Sequence, residues 1–81
     1  MVELRLQIPD ELVAKLQEKL GDKTKVTDIA RDAITLFNWA VDERARGRLV
    51  LSSGIEGDDV ARLTMPSLET AAAKGDKARS R

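Results

Sequence analysis

Val2-Glu3-Leu4-Arg5-Leu6-Gln7-Ile8, closed by Pro9, alternates without a break between apolar and polar residues. Side chains alternate faces along a strand, so Val2, Leu4, Leu6 and Ile8 share one face and Glu3, Arg5 and Gln7 the other. A lone strand leaves its N–H and C=O groups unpaired. The chain up to Gly47 offers no second strand. The economical partner is a second copy, paired antiparallel about a two-fold axis. Such a ribbon would rest its apolar face on helices and show Glu3, Arg5 and Gln7 of each copy to solvent. A two-stranded ribbon fits the major groove of B-DNA, where Arg and Gln read guanine and adenine edges. The plain alternative is an edge strand with an ordinary solvated face.

After Pro9 the pattern turns helical. Asp10 and Glu11 place negative charge on a first turn, where the helix dipole favours it. Leu12, Val13, Leu16 and Leu20 recur at helical spacing, and Gly21 supplies a terminator. The first helix is expected near residues 10–20. Asp22 to Val26 reads as a polar connection. Thr27 is the expected N-cap of a second helix running to Gly47. Its apolar stripe, Ile29, Ala30, Ala33, Ile34, Leu36, Phe37, Ala40 and Val41, is broad enough to meet several neighbours. Trp39 falls outside that stripe, near Asp32, Thr35 and Glu43. Either the C-terminal extension covers it, or it marks a second protein interface.

Beyond Gly47 the residues change character. Arg48 to Ser53 and Val60 to Met65 are β-prone around a turn-like Gly54–Asp59, which suggests a hairpin or an irregular arm against a partner. From Thr70 on there is no large apolar residue, and residues 70–81 are expected to form a disordered basic tail.

The 81 residues suffice for one small domain, which is marginal on its own. With no Cys and no His, disulfides, thiolate chemistry and the commonest general base are absent. Nickel or zinc finds no plausible ligand set, and an enzyme is not expected. No run is long and apolar enough for a membrane span, and no signal-peptide pattern opens the chain, so a cytoplasmic protein is expected. The 14 basic residues balance 14 acidic ones, which argues against binding nucleic acid by bulk attraction. The balance is local. Glu56, Asp58, Asp59 and Glu69 outnumber Arg62, whereas Lys74, Lys77, Arg79 and Arg81 outnumber Asp76.

The order of strand, acidic-started helix, polar loop and long helix resembles the ribbon-helix-helix (Arc/MetJ/CopG-like) family of bacterial DNA-binding proteins. The resemblance covers residues 2–47. It rests on the alternating strand running into Ile8-Pro9-Asp10-Glu11-Leu12, and on Thr27-Asp28-Ile29-Ala30-Arg31-Asp32-Ala33-Ile34. It implies a mainly α fold: an intertwined homodimer with an N-terminal two-stranded antiparallel ribbon between subunits. Residues 1–47 would be the DNA-binding domain and 48–69 a C-terminal, β-prone extension for oligomerisation or partner contact. Carried over by position, Glu3, Arg5 and Gln7 would face the bases. Lys25, Thr27, Asp28 and Ile29 would hold a phosphate at the second helix start. Glu3 departs from the expected chemistry, because phosphate repels a carboxylate unless it accepts from cytosine N4.

Arg44, Arg46 and Arg48 form a basic cluster at the end of the second helix, where cations are favourable without further purpose. Arg44 and Arg48 also resemble the short arginine arm that PilZ-type domains use for cyclic di-GMP, so a nucleotide is a second expectation there. The family resemblance implies a nucleoid-located transcriptional regulator or nucleoid-organising protein that binds double-stranded DNA. It would be dimeric, or tetrameric through Trp39 and residues 48–69. One rival is an antitoxin whose C-terminal segment wraps a toxin. Another is a ligand sensor whose DNA binding is secondary.

Overall fold

A computed structural model describes residues 2–79. Helix α1 spans Asp10–Leu20, α2 spans Val26–Ala45 and α3 spans Pro66–Arg79. Between α2 and α3, strands β1 (Leu51–Ser52) and β2 (Ala61–Arg62) pair antiparallel. The chain is thus mainly helical with one small two-stranded sheet. It divides into two compact units, one ending at Asp32 and one starting at Ala33. No helix among the described residues is long and apolar enough to cross a membrane.

In the first unit, residues 2–9 form neither helix nor ladder. Pro9 opens α1: its carbonyl accepts from the N–H groups of Leu12 and Val13, and its own missing N–H costs nothing there. Asp10 and Glu11 occupy the first turn as expected. Gly21, at φ 118°, ends the helix in a conformation that a side chain would resist, and its N–H bonds the Gln17 carbonyl at 2.8 Å. The Gln17 side chain then donates to the Thr24 carbonyl at 3.0 Å and pins the connection to α1.

Helix α2 begins at Val26, so Thr27 lies inside the first turn and is not the N-cap. The Lys25 carbonyl accepts from Asp28 and Ile29 at 3.0 and 3.1 Å and starts the helix. Val26 is 48 % exposed, and with Leu6, Ile8, Val13 and Ala14 it lines an open recess of about 440 Å³.

In the second unit, α2 ends in a full Schellman closure. Gly47, at φ 83°, donates to the Arg44 carbonyl at 3.0 Å, and Arg48 donates to the Glu43 carbonyl at 2.9 Å. Of the two arrangements expected for residues 48–65, the hairpin forms. Leu51 pairs with Arg62 and Ser52 with Ala61, and the Leu63 N–H extends the ladder to the Val50 carbonyl at 2.9 Å.

The expectation of disorder from Thr70 onward is overturned for residues 70–79, which belong to α3. Ser80 and Arg81, the end of the expected tail, lie outside the described residues. Pro66 takes the first helical position, where its ring is preorganised. Ala71, Ala72 and Ala73 have high helix propensity. Leu68, fully buried, anchors the helix in a small core with Ala40 and Val50, against which Val41 packs. Gly75 lies so close to the Ala45 backbone that a Cβ would have no room. Arg79 donates to the Ala45 carbonyl and helps close the end of α2.

Candidate nucleic-acid interface

Glu3, Arg5 and Gln7 are all exposed, and so are the apolar residues between them. Leu6 is 68 % exposed and Val2 86 %. Within one chain, therefore, neither face of this segment is covered. Its three polar side chains sit at alternate positions, each able to reach outward if the apolar set is turned toward a floor. A guanidinium can donate two parallel bonds to guanine, and a carboxamide can both donate to and accept from adenine.

The second expected cluster lies at the start of α2. Lys25, Thr27 and Asp28 are exposed and Ile29 is half-buried. The expected set of donors shifts by one step. The N–H groups of Asp28 and Ile29 are already engaged by the Lys25 carbonyl, so helix geometry leaves Val26 and Thr27 as the N–H groups facing outward. Asp28 and Ile29 are thereby removed as backbone contacts to phosphate. The Asp28 carboxylate lies 3.9 Å from Arg31, a pair open to solvent and weak. What remains for an anion is the Thr27 hydroxyl, the two N–H groups, the dipole and the Lys25 ammonium.

The arginine cluster does not converge on one exposed point. Arg44 is 7 % exposed; it donates to the Arg48 carbonyl at 3.0 Å and to Glu69 at 3.3 Å, while its Nε is buried without an acceptor. Arg48 instead pairs with Glu43 at 3.0 Å, across the turn that ends α2. Arg46 is exposed. Glu69 also meets Arg62 at 3.4 Å, so one carboxylate ties α2, β2 and α3 together. This geometry gives Arg44 a structural task and disfavours an Arg44–Arg48 nucleotide clasp. The signal was available: Arg44 is four residues beyond Ala40, on the same face of α2 as the buried core.

Trp39 is 51 % exposed, so the C-terminal extension does not cover it within the unit. A feature of which periodicity gave only the α2 wall lies on another side of that helix. Ala33, Leu36, Phe37 and Ala40, with Val50, Leu63, Met65 and Leu68, line an open apolar groove of about 280 Å³. Its walls come from three elements far apart in sequence, which no local pattern reveals. Comparison of the chain with known protein families, with characterised proteins and with solved structures found no match.

Proposed function

We propose that the chain is a dimeric DNA-binding protein of the ribbon-helix-helix kind, acting as a transcriptional regulator or nucleoid-organising protein. One observation carries the reading. Among the described residues only Ala40, Val50 and Leu68 are buried apolar side chains, while seventeen large apolar residues are exposed, four of them Val2, Leu4, Leu6 and Ile8. Burial of apolar area is the main force that holds a fold, and a lone chain with so little of it is not a stable end state. Pairing residues 2–8 of two copies hides the alternating apolar set and satisfies the free backbone groups in one step. It leaves Arg5 and Gln7 of both copies outward for base edges, with Lys25 and Thr27 for phosphate.

The test is a gel-shift series on genomic fragments at several salt concentrations. A preferred fragment should emerge, with affinity falling as salt rises. Arg5→Ala should cost about 1–3 kcal/mol on that fragment and relax the preference. An Arg5→Ala protein that binds as the parent does would sink the reading.

A second reading, the antitoxin, draws on the open groove of the second unit as a seat for another protein. Limited proteolysis separates the two. An antitoxin segment should be cut rapidly beyond Gly47 when its toxin is missing. A segment tied by Leu68 and the Arg44–Glu69–Arg62 network should survive.

A further inference from the structure

We propose that the closing turn of α2 is a phosphate-binding site, built from the guanidinium groups of Arg46, Arg48 and Arg79 around Gly47. Arg44 has no part in it, being buried and tied to Glu69. Two of the three groups are already held in place. Arg79 reaches back from the end of α3, donates to the Ala45 carbonyl and lies over Gly47 so closely that a Cβ there would sit 3.0 Å from its Nη2. The Arg48 Nε donates to the Glu43 carboxylate at 3.0 Å. Arg46 is exposed, and among the described residues no carboxylate engages it. Gly47 serves twice: its φ of 83° makes the turn, and its missing side chain leaves room for the Arg79 guanidinium.

What these groups still have to give selects the ligand. A guanidinium carries several N–H donors in one plane. Arg48 uses its Nε on Glu43 and Arg79 uses its Nη1 on Ala45, so each keeps donors in a plane set by its anchor. A phosphate accepts two parallel bonds from one such fork and has oxygens left for a second. The carboxylates nearby do not saturate the cations. Three guanidinium groups meet Glu43 and Asp76 alone, and the Asp76 side chain is 82 % exposed and 3.9 Å from Arg79, a weak pair.

A helix C-terminus ordinarily repels an anion, because its free carbonyls form the negative pole. Here those carbonyls are occupied. The Glu43 carbonyl accepts from Arg46 and Arg48, the Arg44 carbonyl from Gly47, and the Ala45 carbonyl from the Arg79 side chain. Cations that served only to close the helix would end with Arg79. Arg46 and the outer nitrogens of Arg48 exceed that need. The backbone N–H groups of residues 46–48 are used in the same bonds, so side chains alone hold the ligand and binding falls as salt rises. A nucleic-acid backbone and a small phosphate compound present the same group.

The experiment titrates the full chain with pyrophosphate, and separately with duplex DNA, at constant ionic strength, and follows backbone amide and arginine Nε–H resonances. Pyrophosphate should move the Gly47 amide and the Arg46 and Arg79 Nε–H signals well before the amides around Lys15, an exposed cation elsewhere. Arg46→Gln should weaken pyrophosphate roughly 2- to 5-fold, the range of an exposed charge pair. Arg79→Lys keeps the charge but loses the fork, and should weaken it by a similar factor. Arg46 is exposed, so its variant has no core contact to lose. If DNA moves the same signals, the phosphate is that of nucleic acid; if pyrophosphate alone does, it is that of a small compound. Signals that move evenly over all exposed cations overturn the proposal. Arg46→Gln and Arg79→Lys proteins that bind pyrophosphate as the parent does overturn it too. A chain that ignores DNA yet takes pyrophosphate at Gly47 strikes the ribbon reading alone, so the two failures are distinguishable.

Discussion

Residues 2–32 bury no apolar side chain, whereas residues 33–79 bury three and still leave many large ones exposed. In the first unit α1 has no buried residue, although Leu12, Val13, Leu16 and Leu20 give it a clear apolar face. In the second, three elements close over Leu68, Ala40 and Val50, and a buried arginine is tied down by a carboxylate from another helix. Amphipathic pattern is therefore not a measure of self-sufficiency. The more regular sequence belongs to the unit that buries no apolar side chain at all. The less regular sequence closes a core of three residues and leaves an apolar groove open beside it. A face that is patterned but uncovered is one that a partner can bury.

Four substitutions test this contrast, in falling order of effect. Leu6→Lys should abolish the dimer outright, because a charge would lie beneath the ribbon. Sedimentation should then find single chains, with circular dichroism reporting lost helix. Leu68→Ala attacks the other unit and should cost about 2–5 kcal/mol in denaturant unfolding, as emptied core sites do. If it instead proves neutral, the second unit is not self-sufficient. Glu69→Gln removes the shared carboxylate. The pair is buried on the Arg44 side but Glu69 is half exposed, so the expected loss is about 1 kcal/mol. Lys25→Ala should leave stability unchanged and weaken DNA binding slightly and evenly across sequences, lowering the salt slope by about one.

The helices α1 and α2 and the hairpin were legible because local signals agree there. Periodicity marks the helices, Gly21 and Gly47 mark their ends, and β-prone runs flank a glycine-bearing turn. Helix α3 was not legible, because Leu68 is its only large apolar residue and no stripe announces it. It is held by alanine propensity, one fully buried anchor and a backbone approach that only Gly75 permits. Of the candidate site, Arg5, Gln7 and Lys25 are exposed, and residues 2–9 pair with nothing within one chain. The donors at the start of α2 moved by one step because the helix starts at Val26, ahead of the expected Thr27 cap, and the Lys25 carbonyl takes the N–H groups of Asp28 and Ile29. The burial of Arg44 was not drawn from the sequence, where its charge was read as a helix-end cation, although its place on α2 puts it under the core face.

The half-exposed Trp39 has a practical consequence. It is the chain's single tryptophan, and there is no tyrosine to compete with it. Its emission should shift to the blue when anything covers the Thr35 and Glu43 flank of α2. Unlabelled protein therefore carries its own optical gauge for whatever lands there.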